Sequence, residues 1–278
     1  MSAKEKTLVQ KKLIITANST AYFIIAYVFV ISLINFTSLV MAKIFYDLEG
    51  TLYHYGFFLD RKSFDWTLES IVLIFFIGVI VAIIFGYIFQ KMYQNIRRGP
   101  GHFKLFLLWS YLIAYTIFFG DIVFGAFINY MPGAFFNYMF FPMFMRVVIG
   151  IIALIMLYVI GQFSTKNALV SLNIYLHKAS ISEIRPYLIA QFLYPFLLGN
   201  AIIFLLKIPY QAAFQYVDTF VLLSMFIIIV SIVINIRKLP SHRFSRPTDK
   251  FTLKKIPIVV AIVLMLLFRL VLGSGISY

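Results

Sequence analysis

The chain has 278 residues, of which 62% are hydrophobic, 19% aromatic and only 12% charged, whereas a water-soluble domain is nearer half apolar and a quarter charged. Lys and Arg number 24 against 10 acids, and a net charge of +14 on so apolar a chain points to basic loops beside a membrane, not to nucleic-acid binding. Cysteine is absent, which excludes disulfides, thiolate metal sites and cysteine nucleophiles.

Crossing a bilayer as a helix takes about 20 consecutive apolar residues. Seven stretches meet that requirement, at about 21–42, 71–90, 105–127, 147–163, 187–206, 219–236 and 256–273. The expected fold is therefore all-α, a polytopic transmembrane bundle forming one integral-membrane domain over 1–278. Residues 1–12 are basic, but the apolar run behind them is too long for a cleaved signal and lacks a small-x-small site, so it reads as an uncleaved signal anchor. No lipidation motif is present.

The Lys/Arg bias of the loops sets the orientation. With the amino terminus in the cytoplasm, 18 basic residues fall inside, clustered at 4–12, 91–104, 166–185 and 237–255. Only 5 fall outside (Lys43, Arg61, Lys62, Arg146 and Lys207), and Arg269 lies within the last span. This predicts an inner amino terminus and an outer carboxyl terminus, with a bacterial inner membrane as the expected location. The inner face should attract anionic lipid headgroups at about 1 kcal/mol per basic residue near the surface. Arg237, Lys238, Arg243, Arg246, Lys254 and Lys255 make the 237–255 loop its most basic part, and Pro240 and Pro247 predict irregular backbone there.

Two other loops carry pattern. Residues 43–70 combine five acids with Tyr46, Tyr53, Tyr55, Phe57, Phe58, Phe64 and Trp66, and read as an outer interfacial cap, with a docking surface for a partner as the alternative. In 166–186, Leu169, Leu172, Leu176 and Ala179 recur at spacings of three and four, which predicts an amphipathic helix lying on the inner surface.

Ionisable groups at membrane depth are costly and indicate a functional site or a buried pair. Asp121 in the third span and Arg269 in the seventh stand about 24 Å and about 20 Å from the inner edge at 1.5 Å per residue, so a structural pair between them is the first expectation. A transport or proton site is the second, and Arg146 is the competing partner. Gly120 and Gly125 would admit a close neighbouring helix. In the fifth span Pro195, with Gly199 and Asn200, predicts a helix break that frees carbonyls for a neighbour or an ion. Asn35, Gln162 and Asn235 are expected to make interhelical hydrogen bonds.

No catalytic chemistry is legible. All four histidines lie in loops, with no HExxH, and Gly273–Gly275 has no intramembrane base. There is no P-loop and no lysine in the last span for a retinal Schiff base, and no cofactor or metal is expected. The sequence therefore suggests a non-catalytic membrane protein, foremost a membrane-embedded subunit or anchor of a larger complex. The alternative is a small transporter or channel using Asp121 and Arg269. The expected partners are the lipid bilayer, anionic headgroups and other membrane proteins, and not nucleic acid.

Overall fold

The computed structural model describes residues 8–60, 65–96, 101–128, 132–176, 178–179, 181–208, 217–236, 242–243 and 251–277. Six helices are long and apolar enough to cross a membrane: α1 Leu8–Tyr46, α2 Leu68–Asn95, α3 Phe103–Phe127, α5 Met143–Ile174, α6 Ile184–Lys207 and α7 Val217–Asn235, with a short α4 at Pro132–Tyr138. Their outward residues are themselves apolar, among them Phe29, Ile84, Ile152, Ile155, Phe163 and Leu198. Such helices need lipid around them, and the chain is an integral membrane protein. The last helix, α8 (Lys255–Val271), has 17 residues, or about 25 Å of length.

The third span is the hub. In its most apolar window 67% of residues are buried, against 17% in α5, so α3 is enclosed by α1, α2, α5 and α7 while α5 lies at the rim. Leu105, Leu108, Trp109, Tyr111, Leu112, Ile113 and Ala114 are all at 0% exposure, the pattern of a helix apolar on every side. Small residues set the closest crossings. At Gly161 of α5 an added Cβ would meet Ser231 and the Ile228 carbonyl of α7, and Ser231 donates to the Tyr158 carbonyl across that crossing at 2.7 Å.

Several expected boundaries move. The first span begins well before residue 21, because the polar residues Thr16, Asn18, Ser19 and Thr20 are buried and bonded instead of ending the helix. The 166–186 stretch is divided. α5 continues to Ser171 and a 3₁₀ turn (Leu172–Ile174), a two-residue strand β3 follows at Lys178–Ala179, and helix resumes at Ile181 with Pro186 inside it. Leu169 and Leu172 belong to the central core and not to a surface face.

The 43–70 region is not simple loop. It forms a hairpin of β1 (Gly50–Tyr53) and β2 (Gly56–Leu59), and β5 (Ile276–Ser277) adds to β1 antiparallel. Tyr55 is buried, and Trp66 and Phe57 stack on Phe75 of α2, so the aromatics cap the helix ends. Backbone pairing therefore holds the carboxyl-terminal strand beside the connection between α1 and α2. At the other end β3 pairs with β4 (His242–Arg243).

Candidate functional site

Near the amino-terminal end of α1 the interior is wired by hydrogen bonds. Pro195 has no N–H to give the carbonyl four residues earlier, and the helix is wound as a π turn over Ile189–Leu193. The freed Gln191 carbonyl accepts from Ser19 Oγ at 2.6 Å, and the Ala190 carbonyl accepts from Thr16 Oγ1 at 2.9 Å. Trp109 Nε1–H donates to Ser19 Oγ at 2.9 Å, and Gln191 Nε2–H to Ser171 Oγ at 2.6 Å. The expected helix break thus serves packing: its carbonyls go to α1. Gly199 takes the Phe23 ring where a Cβ would collide, and Asn200 Nδ2 donates to the Phe196 carbonyl of its own helix at 2.8 Å.

The opposite end carries the charges. Asp121 of α3 and Arg269 of α8 are not brought together. Arg269 Nη1 instead contacts His54 Nε2, at the turn of the hairpin, and the Leu206 carbonyl at 3.4 Å. Arg146 donates Nε–H to the Phe141 carbonyl at 2.9 Å and is likewise spent locally. His54 is held below the ordinary histidine range, first by burial and then by the Arg269 charge, with Lys207 adding to the effect.

Asp121 faces a different group. At Gly120 an added Cβ would strike Val221 and Ser224 of α7, so α3 and α7 approach closely there. One turn before Val221 lies Asp218, which lines the same cavity as Asp121. Asp218 is paired with Lys207, the last residue of α6, at 3.2 Å, and the Lys207 side chain is 1% exposed. Its ammonium also lies 5.9 Å from the centre of the Tyr27 ring of α1. From the sequence Lys207 is expected as an outer-loop charge; the structure turns it into the bundle because Asp218, 11 residues later, opens the next helix.

Asp121 and Asp218 line a cavity of about 40 Å³ with Tyr27, Asn35 and Ser38 of α1, Val79 of α2, and Gly56 and Phe57 of the hairpin. That is room for a water or two or one small ion. Among the described residues the Asp121 carboxyl has no hydrogen-bond or ion-pair partner. The Asn35 side chain, 8% exposed, makes no hydrogen bond there either, contrary to the interhelical bond expected of it. Asn235 bonds within its own helix to the Ser231 carbonyl at 2.9 Å, and Gln162 is exposed.

In the basic loop Arg237, Lys238 and Arg246 lie outside the described residues, and Arg243 belongs to β4. Lys254 gives its backbone N–H to Asn18 Oδ1 at 2.9 Å, and Lys255 is exposed. Among the described residues no group of three or more His, Asp or Glu could hold a metal ion. Comparison with family models, with curated proteins and with solved structures found no match for this chain.

Proposed function

We propose that the protein is a small transporter or channel for a proton or small cation, with the cavity lined by Asp121 and Asp218, and the Lys207 ammonium paired to Asp218, as its working site. It crosses a bacterial inner membrane seven times, with its amino terminus in the cytoplasm. The observation that carries this reading is the Asp121 carboxyl, without a partner among the described residues, in a cavity at membrane depth that a second carboxylate also lines. A carboxyl kept there for stability alone would be paired, as Asp218 is with Lys207.

The topology has its own support. β5 lies beside β1, which supports an even number of crossings between the α1–α2 connection and the carboxyl terminus, and α2, α3, α5, α6 and α7 together with the 17-residue α8 would supply six. The loop-charge bias supports a cytoplasmic side for the basic connections, including the 237–255 loop, among anionic headgroups.

The chemistry is a charge exchange. The pair of carboxylates and one ammonium carries one excess negative charge, and in a low-dielectric cavity that charge demands a proton or a cation. Occupancy relieves the repulsion between Asp121 and Asp218, and departure restores it, which gives the ion a differential effect on two states of the bundle. The membrane-anchor reading accounts for the outer cap but gives Asp121 no task.

The test is ion-gradient-driven charge movement in proteoliposomes. The wild type should pass current under a cation or pH gradient, and Asp121→Asn should abolish it without lowering thermal stability in detergent and choline chloride, where no small cation fills the site. A variant that loses stability in choline chloride would assign Asp121 a structural role. An inactive wild type that purifies with another protein in fixed ratio would return the chain to a complex subunit.

A further inference from the structure

We infer that the cavity at Asp121 binds a small monovalent alkali cation, through oxygen atoms of Asp121, Asp218 and Asn35. This rests on the transport reading above and names its ion class. A pair of acids alone would not carry the assignment. The second observation is Asn35, a polar side chain 92% buried by its 8% exposure, which lines the same cavity and makes no hydrogen bond among the described residues. An amide that the surrounding protein leaves unbonded keeps its oxygen available to a ligand in the space it lines. Ser38, also buried, adds a hydroxyl to the wall.

The donors select the ion. Every polar group named on the wall offers oxygen, the ligand of hard cations, and no histidine or thiolate is among them. Charge then decides valence. With Lys207 paired to Asp218, the site holds two carboxylates against one ammonium, so a monovalent ion brings it to neutrality and a divalent one leaves a buried positive charge. The cavity, about 40 Å³, admits a small ion with little water and excludes an organic cation. Three helices supply the ligands: α1 gives Asn35, α3 gives Asp121 and α7 gives Asp218. Binding therefore ties α7 to α1 and α3 at the end roofed by Gly56 and Phe57.

Purified protein in detergent should unfold at higher temperature in sodium chloride than in choline chloride at equal ionic strength, with a shift that grows with sodium concentration and saturates. Calcium at matched ionic strength should give a smaller shift. Asp121→Asn and Asn35→Ala should each remove the sodium-dependent part. The wild-type comparison stands by itself if either variant fails to fold. Equal unfolding temperatures in sodium and choline, or a larger shift with calcium, would overturn the assignment. Sodium stabilisation without current in proteoliposomes supports the binding site and sinks the transport reading. Current driven by pH alone, with no sodium effect on unfolding, does the reverse.

Discussion

Around Ser19 the bundle interior joins α1, α3, α5 and α6 through short hydrogen bonds that leave Trp109 and Ser19 each with a partner in another helix. Around Asp121 the same helix α3 meets charged groups, an unbonded amide and open space. Both regions are polar and both are buried, yet one spends its donors on the protein and the other holds ligand atoms in reserve. A membrane interior rewards the first arrangement with rigidity, since an unmet polar group there has no water to turn to. The second arrangement is sustainable only with something in the cavity, and that difference distinguishes scaffold from working site.

Breaking the comparison at its strongest contact means removing Lys207. Lys207→Ala strands Asp218 with an uncompensated charge, and should cost about 3 kcal/mol, the low end for a broken buried pair because Asp218 keeps 21% side-chain exposure. Thermal unfolding in detergent measures this. A double variant, Lys207→Ala with Asp218→Ala, should recover much of the loss. On the scaffold side, Ser19→Ala orphans the Trp109 N–H and the Gln191 carbonyl together, for about 2 kcal/mol, and should leave ion movement intact in the folded fraction. Gly161→Leu forces α5 from α7 and should cost about 1–3 kcal/mol by overpacking.

The smallest effect concerns the hairpin. The folded-state pKa of His54 lies below the ordinary 6.5, through burial first and Arg269 second. A lowered histidine value means the unfolded chain takes up the proton first. Its contribution is then complete above 6.5 and is lost as pH falls below it toward the folded value. Unfolding temperatures on either side of that window should differ less in His54→Gln than in the wild type.

The apolar runs made the spans legible, because length and hydropathy are local properties. What they hid was how helices continue through polar residues. Ser164, Thr165 and Asn167 read as the end of a span, yet all three are buried in α5, where Tyr93 donates its hydroxyl to the Asn167 carbonyl at 2.7 Å. The importance of Asp121 was readable from depth alone, and that of Pro195 from its missing donor. The partners were not. Arg269 is drawn to His54, a residue 215 positions away in a hairpin whose strands are too short to announce themselves. Lys207 and Asp218 each stand at the edge of an apolar run, where charges ordinarily belong to loops. Only their mutual pairing, set by how α6 and α7 pack, turns them inward. Asn35 looked like any polar residue on a helix face until the cavity in front of it was visible.

The most direct measurement uses the cysteine-free background. Single cysteines at Asp121 and at Ser110, both on α3, would be exposed in membranes to a small, water-soluble thiol reagent. Asp121→Cys should react at a rate far above Ser110→Cys, which sits at 0% exposure in the closed core, and sodium should slow the reaction of a Val79→Cys probe on the wall of the same cavity. A thiol at position 121 as inert as the one at 110 would mean a dry, sealed interior, and would contradict the account of a working site.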